Sequence, residues 1–304
     1  MGPKISVIML TYNRENLVGK AIESVLSQTL RDFELVVVDN GSTDGSGALA
    51  DRYAANDSRV RVIHRERGNI GSGRNVGLDA ATGGFVAFID DDDTVESDYL
   101  EFLHSLVLEY DGDAAICGTN FLNNDCKFVI NGEEAIITLM WRKHYNNGFP
   151  TKLFRRELFS GLRFEEHGRY DDIGLMYLVL AKAKRVVYHG LPKYTVYRHN
   201  NNNSAPTDKN GRITAEYIAS YREAYRVRRG WLNERFPDNV EYWSYFDWSF
   251  QLSMVNKIVS NNVAECSRHL QEMKKELSEH YDEFLASPRV QDFEREWIKR
   301  YLGD

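Results

Sequence analysis

The sequence predicts an α/β fold: a mixed, mostly parallel sheet flanked by helices, followed by a helical C-terminal subdomain. Three observations carry that expectation. Short branched apolar runs alternate with helical patterns over the first hundred residues, each apolar run gives way to polar residues, and after about Thr214 the pattern is helical to the end. Strands alternating with helices are the mark of a layered α/β domain.

In order along the chain, Ile5 to Leu10 and Leu35 to Val38 are continuous and apolar, as strands buried on both faces of a parallel sheet should be. Between them Leu17, Ala21, Val25 and Leu26 recur at helical spacing, with Glu15 placed to complement the dipole at that helix start. A helix over Ser46 to Ala55, a strand over Val60 to Ile63, a helix over Gly73 to Ala81 and a strand over Phe85 to Ile89 follow. Helical patterns return at Asp98 to Leu108 and Ile173 to Ala183. The run Asn200 to Asn203 before Pro206 reads as a mobile loop. Long helices rich in Tyr, Trp, Lys and Glu come next, with breaks expected near Gly230, Pro237 and Pro288. The division expected is 1–210 and 211–304.

The chain has 304 residues, 42% of them hydrophobic, and a formal net charge of −7. That charge argues against a broad nucleic-acid footprint, which needs a basic face. Three cysteines without a CxxC pair suggest neither a disulfide framework nor a zinc site. The first residues run straight into a strand without a leader-like pattern, and no apolar stretch reaches membrane-spanning length, so a cytoplasmic location is expected. The aromatic positions from Tyr217 to Trp248 read as a helical core. A membrane surface at the inner face, or a second copy of the chain, is the alternative they leave open.

In open α/β sheets ligands bind beyond the carboxyl ends of the strands. Thr11-Tyr12-Asn13, Asp39-Asn40-Gly41-Ser42 and Asp90 to Asp93 follow the first, second and fourth strands and should meet at one edge. Four adjacent aspartates repel unless a cation or proton relieves them, and hard divalent ions take carboxylate oxygens. The other reading is a solvated turn with Asp93 or Thr94 capping the next helix.

Taken in order, Ile5–Arg14, Ser24–Thr29, Phe33–Asp44, Gly73–Gly77 and Gly84–Asp93 resemble the motifs of family 2 glycosyltransferases of bacterial polysaccharide biosynthesis, inverting enzymes of the GT-A, Rossmann-like fold. The resemblance implies a nucleotide diphosphate sugar donor, with a UDP-sugar favoured, a saccharide or lipid-linked saccharide acceptor, and Mn2+ or Mg2+. It places Thr11 and Tyr12 at the donor base, with Tyr12 able to stack on it, and counts Asn13 among the substrate-binding residues. Arg74 would line the nucleotide pocket, Asp91 face the ribose, and Asp92 with Asp90 hold the metal. The family often has two acidic residues where this chain has Asp39-Asn40, so Asn40 would meet the base through an amide. Further on, Lys152–Leu158 and Tyr170–Leu175 resemble the acceptor-side segment. This implies Asp172 as general base and Asp171 as the group that orients it or holds the acceptor. Tyr194–His199 resembles a segment closing over the diphosphate, with Arg198 on phosphate and His199 on metal or phosphate. A sugar nucleotidyltransferase would carry a glycine-rich first loop, which Leu10–Glu15 lacks. A glycosidase using paired carboxylates, or a binding protein without turnover, are the remaining rivals.

Overall fold

The computed structural model describes residues 2–166, 171–199 and 213–303. The chain forms two compact units, Met1–Tyr197 and Arg198–Asp304.

The first unit opens with β1 (Ile5–Thr11), α1 (Val18–Leu26), β2 (Phe33–Asp39), α2 (Ser46–Asn56), β3 (Val60–His64), α3 (Ile70–Ala80) and β4 (Phe85–Phe88). Because β strands alternate faces, Ile5, Val7 and Met9 join Val18, Ala21, Ile22 and Val25 of α1 in one core cluster. Burying each of these side chains other than Ala21 stabilises the fold by about 1.5–3 kcal/mol. The opposite face, through Ile8 and Leu10, meets α3. There a Cβ on Gly77 or Gly73 would lie 2.3 Å from the Ile8 or Leu10 side chain, so glycine permits the close approach of helix to strand.

The second half of the unit adds β5 (Thr94–Val95), α4 (Tyr99–Glu109), β6 (Ala114–Thr119), β7 (Lys127–Ile130), α5 (Gly132–Trp141), β8 (Lys152–Arg155), α6 (Asp171–Lys182) and β9 (Val186–Thr195). The sheet runs β3-β2-β1-β4-β8-β6-β9-β5, with β7 on β9. β1, β2, β3 and β4 are mutually parallel, as are β6 and β9, while β8 enters antiparallel between β4 and β6. Chain order reverses beside β1, which leaves a crevice at its carboxyl end. Thr11, Asp39 and His64 lie side by side in register at that edge.

Local details depart from the sequence expectation. Glu15 does not serve α1; its carboxylate accepts from Gly45 N–H, the N-cap of α2, at 2.8 Å. The helix expected from Gly73 starts at Ile70, because Asn69 caps it by accepting from Ser72 N–H at 2.7 Å. Neither Asp93 nor Thr94 caps α4, whose N-cap is Asp98.

In the second unit α7 (Ala215–Arg235), α8 (Val240–Ser260), α9 (Ser267–Glu279), α10 (Tyr281–Ala286) and α11 (Asp292–Leu302) follow one another. α7 continues through Gly230, where a single glycine costs only about 1 kcal/mol; the break comes at Pro237. Tyr225, Trp243, Tyr245, Phe246 and Trp248 are buried, and the Tyr225 and Phe250 rings stack 3.8 Å apart. Among the described residues, no helix is long and apolar enough to cross a membrane.

Candidate active site

The acidic loop begins where β4 ends. Carboxylate oxygens of Asp90, Asp92 and Asp93 lie within 4.8 Å of one another, a spacing that suits a hard divalent ion bound through oxygen. The sequence had suggested Asp90 and Asp92; Asp93 joins them. The loop is held by Tyr194 at the end of β9. Its hydroxyl donates to Asp93 at 2.8 Å and accepts from Asp90 N–H at 3.2 Å, using both functions of a phenol. Tyr197 N–H also donates to Asp93, at 2.8 Å. Burial, reinforced by the Asp90 charge, pushes the Asp93 carboxyl up to about 7. Asp91 turns to the β1 loop, accepting from Tyr12 N–H at 3.2 Å with Arg14 Nε 3.9 Å away. Its carboxyl is likewise pushed up to about 7, chiefly by burial.

Arg74 ties this loop to the start of α6. From α3 it reaches Asp171 at 2.8 Å and Asp90 at 3.3 Å. Its guanidinium carbon lies 5.6–6.0 Å from the Phe88, Phe149 and Phe164 rings. Burial opposes the Arg74 charge, and Asp171, Asp90 and Asp172 outweigh it. The next residue, Asn75, fixes the approach to α6: its amide donates to Phe164 O at 3.0 Å and accepts from Phe164 N–H at 2.9 Å. Asp171 is thus buried and paired, whereas burial and the Asp171 charge raise the neighbouring Asp172 carboxyl above its usual range. Lys152, wholly buried, donates to Gly148 O at 2.5 Å and so closes the turn before β8. Burial lowers its amine to about 7.

The loops after β1, β2 and β3 form the other side. Thr11 is wholly buried at the end of β1. Asn13, at φ 50°, accepts from Thr43 N–H at 2.8 Å and joins the first two loops. Asp39 accepts from Ser42 N–H at 3.0 Å and faces His64 Nδ1 at 2.9 Å, while His64 Nε2 faces Asp51 at 3.0 Å. A ring between two carboxylates donates from both nitrogens as imidazolium. The hydrogen bonds to Asp39 and Asp51 accordingly raise the His64 pKa. Burial works against the Asp39 charge, but Ser42 and His64 prevail and hold its carboxyl low.

Asn40 is buried, and its amide donates to Gly68 O at 2.9 Å and accepts from Gly68 N–H at 3.2 Å, which ties the β2 end to the β3–α3 loop. A carboxylate could accept here but not donate. Beside it, the Arg67 guanidinium lies over the Tyr12 ring at 3.0 Å from the centroid. Sequence reasoning passed over Arg67, His64 and Asn75. For His64 the signal was its place at the end of a strand beside Asp39. Arg198 is exposed and His199 half-buried, both in the second unit, and Tyr170 and Asn200 to Ser204 lie outside the described residues.

The sequence model of Glycosyl transferase family 2 matches residues 6–169, more than half of the chain. The chain belongs to this family. It is an enzyme, a glycosyltransferase. Glycosyltransferase GlyG of Streptococcus pneumoniae is 33% identical to this family 2 member over 208 residues, covering 62% of the chain and 68% of GlyG. The match to GlyA of the same organism, 32% identical and covering 61% of the chain, spans only 29% of that longer protein. Among solved structures, TarS of S. aureus (residues 1–349) aligns with TM-score 0.64 at 20% identity, over 99% of the chain and 89% of TarS. The mannosyltransferase PcManGT of Pyrobaculum calidifontis, in complex with GDP-Man and Mn2+, aligns with TM-score 0.60 at 17% identity, over 99% of the chain and 85% of PcManGT. These likenesses establish the GT-A fold of this family 2 glycosyltransferase.

Proposed function

We propose that the enzyme moves a sugar, with inversion at the anomeric carbon, from a nucleotide diphosphate donor to a hydroxyl of a saccharide or lipid-linked saccharide. A UDP-sugar is the donor we favour. The observation that carries this reading is Arg74, which bridges Asp90 in the acidic loop to Asp171 beside Asp172. It joins the donor end of the sheet to a carboxylate suited to proton abstraction.

Asp90, Asp92 and Asp93 have the oxygen donors and spacing for Mn2+ or Mg2+. When bound, the ion would act as a Lewis acid toward the diphosphate. Asp172, ionised, takes the proton of the acceptor hydroxyl as that oxygen attacks the anomeric carbon. The bond from that carbon to the diphosphate oxygen breaks on the opposite face, and the nucleotide diphosphate leaves with the electron pair. Arg74 fixes Asp171, which orients Asp172 and the acceptor. Tyr12 offers a stacking face to the base, and Asn13 with Asp39 shapes the wall beside it. Residues 1–210 would carry this chemistry and 211–304 form the helical subdomain. The Mn2+ in the PcManGT structure supports the choice of metal; UDP-GlcNAc in a TarS structure supports UDP, although GDP-Man in PcManGT shows that the fold accepts a purine donor.

Calorimetric titration of UDP and GDP, each with Mn2+ and with a chelator, tests this. Metal-dependent binding that Asp92→Ala weakens at least tenfold is expected. Equal affinity for the variant would remove Asp92 from the ion site.

A further inference from the structure

We propose that Arg67 is the movable outer jaw of the base subsite, retreating from Tyr12 to admit the donor base and then stacking on the base's outer face. The proposal rests on Tyr12 being the base platform and adds a residue to it.

The geometry begins with an occupied platform. At 3.0 Å from the Tyr12 centroid, the guanidinium leaves no room for a base on that face. Two successive stacking contacts need about 7 Å between Tyr12 and Arg67, so the guanidinium must withdraw by about 4 Å. Its side chain is free to do so. Arg67 is exposed, and it pairs with no carboxylate among the described residues.

The main chain that carries Arg67 is, in contrast, tied down on both sides. Asn40 binds both the N–H and the C=O of Gly68. Arg65 N–H donates to Asp39 O at 3.0 Å, and Arg65 Nη1 donates to Ser72 Oγ at 2.9 Å. Gly41, at φ +80°, lies so close that a Cβ there would sit 2.7 Å from Arg67 N. A fixed backbone with a long mobile side chain over an aromatic face makes a hinge-free clamp. Guanidinium is planar and weakly hydrated, so it stacks as well on a base as on a phenol. This also gives Asn40 a part in the site: it sets where the jaw is anchored.

The test uses the full chain with Mn2+ and calorimetric titration of two probes, UDP and inorganic pyrophosphate, for the unaltered enzyme, Arg67→Ala and Arg67→Met. Both variants should melt as the unaltered enzyme does, because the side chain is exposed. We expect each to lose roughly five- to thirtyfold in UDP affinity, the range of a cation stacked on an aromatic ring, with pyrophosphate affinity unchanged. The uracil absorbance change on binding should also shrink. Unchanged UDP affinity in both variants would overturn the jaw while leaving the donor reading intact. A parallel loss for pyrophosphate would make Arg67 a phosphate contact and overturn it as well. Failure of the unaltered enzyme to bind UDP or GDP would overturn the donor reading, and the jaw with it.

Discussion

Replacing Arg74 with methionine keeps much of its volume among Phe88, Phe149 and Phe164 but leaves two carboxylates without their cation. Removing one partner of a buried ion pair costs about 3–5 kcal/mol. Here the Arg74 and Asp171 side chains are 11% and 8% exposed, so that half of the bridge deserves nearly the full figure. The Asp90 side chain is 45% exposed and hydrates when released, so it adds little. We therefore expect Arg74→Met to destabilise the first unit by about 2–4 kcal/mol. Asp171→Leu alone should cost less than Arg74→Met, since Arg74 keeps Asp90 at 3.3 Å. The double variant should cost less than the sum by about 1.5–3 kcal/mol, because neither charge is then left alone. Urea unfolding followed by tyrosine and tryptophan fluorescence measures the cycle. Additive losses would mean that the two groups do not support each other, and the link between acidic loop and acceptor helix would fall.

Other expectations follow from neighbouring contacts. Asn40→Asp sets a carboxylate against Gly68 O and should cost about 1–3 kcal/mol, with weaker UDP binding; a stability equal to that of the unaltered enzyme would contradict the double contact. The His64 and Asp39 pair should support stability within a pH window. The raised His64 pKa contributes fully below about 6.5 and fades as pH rises through its folded value, whereas the lowered Asp39 pKa contributes above about 4 and fades as pH falls through its folded value. His64→Ala should thus lose most, though under about 1 kcal/mol for so exposed a ring, between those limits; a loss that does not change from pH 5 to about 9 would speak against the ion pair. On the acid side, turnover should rise with pH through a pKa above the ordinary carboxylate range, because Asp172 acts ionised and burial raises it. An acid limb near 4 would assign the base elsewhere.

The strands were legible because their chemistry is local: Ile5 to Leu10 has no other use than burial on two faces. The carboxyl-edge loops were legible for a related reason, since polar residues at a strand end have only the crevice to face. What escaped depends on partners far along the chain. Glu15 lies beside one helix in sequence and serves another in space, through Gly45. Asn40 follows β2 in sequence, and both of its amide functions meet Gly68. Arg67 and Tyr12 are separated by more than fifty positions, and no periodicity joins them. Gly230 illustrates the opposite error, where a weak local preference yields to the packing of a long helix.

The central claim is that Asp172 takes the acceptor proton in a reaction whose donor is bound elsewhere in the site. Asp172→Asn separates the two most directly, with donor affinity read by calorimetry and transfer by release of nucleoside diphosphate. The account predicts unchanged donor binding and transfer lowered by about a hundredfold or more. Near-normal transfer by a variant that binds donor equally well would contradict it.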